Sequence, residues 1–490
     1  MCGKRAAILK EKRYMNHISV LLQKIADIVW GPWSLGLLLG TGTYLMIKMR
    51  FLPIRNLGYA LKCVVGLDEK RRVEKNKRKA AKEGAISPFS ALMTELATTI
   101  GIGNIVGVAS AMVLGGPGAL VWMILSSFLG LSTKFAESML AVKYRTKNEA
   151  GEFTGGPMYT LKNGFPWKWL GQVLACFFAV FTVFASFGMG NMTQANSIAV
   201  SVKETLEISS AKTGLVITIA VILAVLGGIR TISRVTLVMV PVMAILYLSG
   251  AVAVIFSHPE NIREGIHMIL TMAFSPEAVA GGVGGNIVSS MGQALRWGVS
   301  RGVFSNEAGL GAAGISAASA HTDDPVRQGY ISMTSVFFDT VVVCSVTGLA
   351  LAASGVLGMT DEAGELLTGT ALTIAAFATT FGEIGGIFVT VGIVLFGLAT
   401  IIGWAYQGEK AFEFLVKNPE YCMIYRFVYG FFCFVGSVCS LEVVWSFSDI
   451  CNGLMAVPNL ICVIVMSGEV CREMLEKDVD RKKYHLMKKA

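Results

Sequence analysis

The sequence is poor in charge. Only 15% of its 490 residues are Asp, Glu, Lys or Arg, against 53% hydrophobic residues and a mean hydropathy of +0.61. A soluble globular chain carries roughly 25% charged residues, so one water-facing globule cannot hide this much apolar surface. Histidine is scarce as well: His17, His258, His267, His321 and His485 share no metal-ligand spacing. The ten cysteines include no C-x-x-C pair, and Cys176, Cys344, Cys433 and Cys462 sit inside apolar runs. That pattern fits reduced packing residues and excludes a disulfide frame. No paired His, carboxylate or nucleophile motif lies within the apolar runs, which argues against a membrane enzyme. No filter-like or charged-ring motif supports a channel. The N-terminus lacks a signal-peptide cleavage pattern. No cofactor and no nucleic-acid partner is expected.

Apolar runs recur throughout instead. A helix needs about 20 apolar residues to cross the hydrocarbon core, and candidate spans fall at 21–47, 87–115, 118–143, 167–200, 213–230, 233–257, 265–300, 328–354, 383–407, 423–440 and 441–470. This composition predicts an all-α polytopic membrane protein of about 11 transmembrane helices, with the lipid bilayer as its surroundings. The span 441–470 contains Pro458, where a bend is expected.

Basic residues mark the cytoplasmic face. The loop 48–86 carries twelve, from Lys48 to Lys82. With that loop inside, Lys143 to Lys147, Arg230 and Arg234, Arg296 to Arg327, Lys410 and Lys417, and the basic tail 472–490 fall inside too. The acidic loop 355–382 falls outside. Against the rule, this places the basic residues of 1–24 outside; a start at Met15 would leave only Lys24 there. A multi-pass cell-membrane protein with a cytoplasmic C-terminus is expected.

One segment breaks the apolar pattern. In "TELATTIGIGNIVGVASAMVL", Gly101-Ile102-Gly103-Asn104 puts weak helix formers and an amide in mid-membrane. Unwound backbone there is prohibitive in lipid and must line a cavity. The segment follows no strand and reads G-x-G-x-x-x-G, so a nucleotide loop is a poor reading. A second Gly-rich stretch ending in Asn, "GGVGGN" (281–286), lies in the span 265–300. With 21–47 set aside, ten spans remain as two sets of five, each opening on such a break. An odd number of spans inverts one set relative to the other, and paired interruptions in inverted repeats mark a transporter's binding site. The organisation expected is an N-terminal extension 1–18, an accessory helix and basic loop 19–86, a first repeat 87–257, a second repeat 258–471 and a tail 472–490. Packing notches of the G-x-x-x-G kind, Gly103 and Gly107, are the alternative.

The strings "GIGNIVGVASAMVLGGPGALVWM", "FGMGNMTQAN" (187–196), "GVSRGVFSNEAGLGAAG" (298–314) and "IIGWAYQGEKAF" (401–412) resemble the alanine/glycine:cation symporter family, over roughly 19–475. The resemblance implies a sodium-coupled importer of small neutral amino acids, prokaryotic, with a leucine-transporter-like core of 5+5 inverted repeats preceded by one extra helix. It assigns Gly101, Gly103, Asn104 and Gln194 to the substrate, with Trp404 as a wall limiting it to the size of glycine, alanine or serine. It assigns Ala97, Ile100 and Thr400 to sodium. Three departures stand out. The family usually reads Thr where this chain has Ile102, Ser where it has Ala399, and Ser-Ala-Pro where it has Ala312-Ala313-Gly314.

Ionisable residues at membrane depth are functional candidates by default. Glu95 stands where the family usually has a small residue; it either titrates, keeping a proton-coupled alternative open, or faces a wet vestibule. Asp339 and Asp449 read as interhelical partners, and Glu307 as a cap or bridge at the inner face, near Arg301. A carrier saturates with substrate and follows a cation gradient; a channel does neither.

Overall fold

The computed structural model describes residues 19–67, 86–149, 151–275, 278–282 and 285–487. The stretch 1–18, and with it the Met15 question, lies outside the described residues, as do residues 68–85 of the basic loop.

Helix α1 (Pro32–Lys48) follows a short helix at 19–29 and carries Pro at its first position, where a missing N–H costs nothing. It packs on α4 (Ala119–Lys143) and on the last helix. The first interrupted pair is α2 (Pro88–Thr99) and α3 (Val106–Leu114). Ser87 caps α2 by accepting from Ser90 N, 3.0 Å, with Pro88 next. Helices α5 (Lys168–Phe187) and α6 (Thr193–Leu206) run as one apolar stretch through a π-helical segment, Gly188–Met192. Helices α7 (Ser210–Leu226) and α8 (Gly228–Ser257) face outward with Leu215, Val216, Leu223, Val238, Val242 and Ile245 exposed. Exposed branched aliphatics on successive turns match a lipid-facing surface.

The expected helix over 265–300 is not one helix. A helix at Pro259–Phe274 is followed by an antiparallel hairpin, in which Ala278 pairs with Ser289 and Gly282 with Gly285. The stretch "GGVGGN" therefore belongs to a hairpin and not to a broken helix. The physical reason is readable afterwards: short segments with Val and Ile flank a Gly-rich centre, which is hairpin chemistry. The second interruption lies further on, between α9 (Met291–Asn306) and α10 (Ala312–Ala318). It is the "NEAGLG" string. Glu307, Gly309 and Gly311 all take positive φ there, 57°, 93° and 85°, values at which glycine is strain-free and most side chains are not.

Helices α11 (Pro325–Val336) and α12 (Ser345–Ala353) flank a second π segment, Phe337–Cys344. After α13 (Gly369–Phe381) come α14 (Glu383–Val416), α15 (Cys422–Val438) and α16 (Leu441–Met487). Pro458 lies inside α16, which continues through it as one helix. Seven helical runs among the described residues are long and apolar enough to cross a membrane, α4, α5–α6, α8, α11–α12, α14, α15 and α16. The two interrupted pairs and the shorter α1 and α7 fall short of that length as continuous helices.

Candidate functional site

The first break is held by its own Asn104 and by side chains from two other helices. After Thr99 the backbone leaves the helix at Ile100, and Gly101 is extended, with φ −131° and ψ −158°. A single 3₁₀ turn, Ile102–Asn104, precedes α3. The Asn104 amide folds back so that its Oδ1 accepts from Gly101 N at 2.9 Å. Gln194 Oε1 accepts from Ile102 N at 3.3 Å, while its Nε2 donates to Met189 O at 3.0 Å. Thr400 on α14 donates to Ala97 O at 3.0 Å. A Cβ on Gly101 would come to 2.4 Å from Thr400 Oγ1 and 3.3 Å from Gln194 Oε1, so the glycine is needed for close approach.

These contacts gather Ala97, Gly101, Asn104, Gln194 and Thr400 from the sequence-based set at one place. Gly103 lies beside them, against Ser305 of α9, and Ile100 is buried with its N–H on Leu96 O. Trp404 is one helical turn beyond Thr400. It is buried, lies over Gly190 of the first π segment, where a Cβ would fall 2.5 Å from the ring carbon Cγ, and donates from Nε1 to Glu307 Oε1 at 2.8 Å. Tyr429 fastens the same π segment, donating to Gly190 O at 3.1 Å and to Ile401 O at 2.8 Å. π segments recur at functional sites because they re-aim side chains.

Sequence reasoning missed how far the site extends. The Asn104 Nδ2 donates to Asp339 Oδ1 at 2.8 Å and to Asp339 O at 3.1 Å, and Ser305 Oγ donates to the same carboxylate oxygen at 3.0 Å. Asp339 Oδ2 accepts from Thr340 at 2.7 Å, and Thr340 accepts from Asn306 Nδ2 at 3.0 Å. Asp339 is thus an interhelical partner, as its position in an apolar run implied, but the partner is the first break itself. The two breaks also touch directly: Thr98 donates to Glu307 Oε2 at 3.2 Å. The signal for the second break was present in "NEAGLG", which carries a Gly-x-Gly pair, as Gly101-Ile102-Gly103 does, with an Asn before the pair where the first break has one after it.

Glu307 does cap α9, its N–H donating to Val303 O at 2.9 Å, but its carboxylate bridges Trp404 and Thr98 and not Arg301. Arg301 instead makes a two-pronged pair with Asp449 of α16, 2.8 and 3.1 Å. Both line a cleft of about 300 Å³ that also includes Trp297, Trp445 and Thr368–Ala371. Arg301 and the loop 355–382 thus share one face. Arg327 reaches Cys63 O near the start of the basic loop, at 3.0 Å. The range 296–327 is not one inner loop, because α9 and α10 thread between its ends. Glu95 does not face a wet vestibule: it is fully buried, accepts from Ser335 at 2.8 Å and lies 3.7 Å from the Lys134 ammonium.

Two interrupted helices meeting inside an apolar bundle define a membrane carrier. The crystal structure of MhsT in complex with L-phenylalanine has a similar fold, with a TM-score of 0.54 over 78% of this chain and 89% of that one, at 13% identity. That likeness places the chain in the leucine-transporter fold class. The family model of sodium:alanine symporters matches residues 15–489. Sodium/alanine symporter AgcS of Methanococcus maripaludis is 44% identical over 94% of this chain and 97% of its own length. GlnT of Bacillus subtilis, whose name includes the words sodium/glutamine symporter, is 33% identical over 93% of this chain and 90% of its own. The chain belongs to the sodium:alanine symporter family. It is a multi-pass membrane transporter that couples an amino acid to sodium, and not an enzyme.

Proposed function

We propose that this chain imports small neutral amino acids, namely alanine, glycine or serine, together with sodium, by alternating access about the two breaks. The observation that carries the reading is the convergence of the first break with Gln194, Thr400 and Trp404. The amides of Gly101 and Ile102 are engaged by Asn104 Oδ1 and Gln194 Oε1, both acceptors that a substrate carboxylate can replace. Backbone N–H groups at a half-helix N-terminus suit such an anion. Asn104 and Gln194, freed, then hold the ligand.

Sodium, a hard cation, takes oxygen ligands. Ala97 O and Thr400 Oγ1, 3.0 Å apart, supply two of them at the carbonyl end of α2, and the carbonyl of Ile100 a third. The negative end of the α2 dipole favours a cation there. Ala399 removes a hydroxyl the family usually has beside Thr400. Trp404 walls the side-chain pocket, so side chains larger than that of serine meet the indole. The C-terminal tail and the loop 48–86 lie on the cytoplasmic side of a prokaryotic cell membrane, and the ten spans after α1 form the inverted repeats.

The test is competition for labelled alanine on purified protein in sodium, with glycine, serine, valine, glutamine and phenylalanine. Glycine and serine compete within about 150-fold of alanine, since a methyl or hydroxyl changes binding by about 1–3 kcal/mol. Glutamine or phenylalanine binding as tightly as alanine overturns the small-substrate reading.

A further inference from the structure

We propose that Glu307 of the second break is a positioning residue for substrate size: by accepting the Trp404 N–H, it holds the indole in place as the wall of the amino-acid pocket. The inference rests on the proposed function, in which Trp404 forms that wall. An indole has one donor and no acceptor, and a buried one needs a partner. Trp404 is fully buried, and its Nε1 donates to Glu307 Oε1 at 2.8 Å. The carboxylate is fixed in turn. Glu307 is fully buried and takes the left-handed φ of 57° at the end of α9. Its second oxygen accepts from Thr98 Oγ1 at 3.2 Å.

The helix that carries the ring is pinned without Glu307. At Gly403 a Cβ would fall 2.6 Å from Thr98 Cγ2, so α14 lies directly on α2 there. One turn beyond Trp404, Gln407 donates to Ser316 Oγ of α10 at 3.1 Å. Tyr429 donates to Ile401 O at 2.8 Å. Gly190 lets the root of the Trp404 side chain lie against the first π segment, where a Cβ would collide with Trp404 Cβ. These contacts fix the helix and the root of the side chain. They leave the rotation of the ring, whose terminal torsion is broad, to be set by the bond at its N–H edge.

The geometry makes the pocket a gauge between the two breaks. Gln194, which engages the first break at Ile102 N, also donates to Met189 O at 3.0 Å, next to Gly190. One π segment therefore carries both the anchor of Gln194 and the floor under Trp404. The far edge of the ring is set from the second break. Removing the acceptor leaves a buried N–H unpaired. The ring then turns away toward another partner, and a branched side chain gains room. The bond needs an acceptor oxygen and not a charge, so a glutamine at 307 supplies it as well.

The experiment is competition by valine for labelled alanine on the purified full-length protein in saturating sodium, read as the ratio of the two half-maximal concentrations. Glu307→Met should lower the valine-to-alanine ratio by about tenfold, in the same direction as Trp404→Ala, and Glu307→Gln should restore the wild-type ratio. In Trp404→Phe, which has a ring but no N–H, adding Glu307→Met should shift the ratio no further. Glu307→Asp draws the carboxylate back by one methylene and should lower the ratio by a smaller factor; it decides the matter if the Met variant does not fold. A purely structural Glu307 would lower the unfolding midpoint and leave the ratio where it is. A ratio that falls in Trp404→Ala but holds in the Met or Asp variants overturns this proposal alone, as does an equal fall in the Trp404→Phe background. A ratio that holds in Trp404→Ala removes the wall itself, and this proposal with it.

Discussion

The two breaks differ in what they leave at their centre. The first is uncharged: a 3₁₀ turn whose freed amides are engaged by Asn104 and Gln194. The second is a left-handed turn that fixes a carboxylate, Glu307, between Trp404 and Thr98. Unwound backbone that must bind a changing ligand is best held by neutral amides, which exchange partners cheaply. Backbone that must hold a shape is best fixed by glycine geometry and a charge-assisted bond. In the proposed function the first break is the binding surface and the second a brace for it, joined through Asp339 and Trp404.

This contrast breaks most readily at the brace. Gly311→Ala places a Cβ at φ 85° and 2.7 Å from Asn459 Cγ. It should destabilise the protein by about 1–3 kcal/mol, seen as a lower unfolding midpoint with or without sodium. A wild-type midpoint would show that the second turn is not rigid. At the first break, Asn104→Ala should weaken alanine binding by about 1–3 kcal/mol, the cost of unpairing its buried partners, and Gln194→Ala should do the same. Melting that drops without loss of affinity would make these residues structural only.

Smaller effects sharpen the division. Trp404→Ala should admit larger side chains to the pocket, measured as competition by valine, and unpair Glu307. Thr400→Val removes one hydrogen bond and one sodium ligand. It should raise the sodium needed for half-maximal binding by about fivefold, roughly 1 kcal/mol, with alanine affinity at saturating sodium unchanged. The smallest expected signal is none: cysteines placed at positions 75 and 485 should stay unlabelled from outside intact cells. Ready labelling there would reverse the proposed orientation.

Much of this was legible in the sequence, and the exceptions share a cause. Helix-forming apolar runs, Pro at helix starts and the glycine-plus-amide interruption at 101–104 are local signals, and they sufficed for an all-α membrane protein with a break at that point, whereas it was the resemblance to the symporter family that placed Asn104, Gln194, Thr400 and Trp404 together. The hairpin at 278–289 was misread because glycine richness was taken as a helix break, although Val and Ile beside it favour strands. Asp339 and Lys134 are single polar residues in apolar helices. What each touches depends on helix rotation and on π segments, which periodicity does not reveal. Glu307 was assigned to Arg301 by nearness in sequence, whereas the left-handed turn at Glu307 itself carries its side chain to Trp404.

The central claim is that the first break couples a small amino acid to sodium. It is tested most directly by labelled alanine uptake into proteoliposomes, under an inward sodium gradient alone and then an inward proton gradient alone. The account predicts concentrative uptake with sodium, little with protons, and a higher sodium requirement in Thr400→Val. Uptake that ignores sodium, follows the proton gradient and is lost only in Glu95→Gln would contradict it.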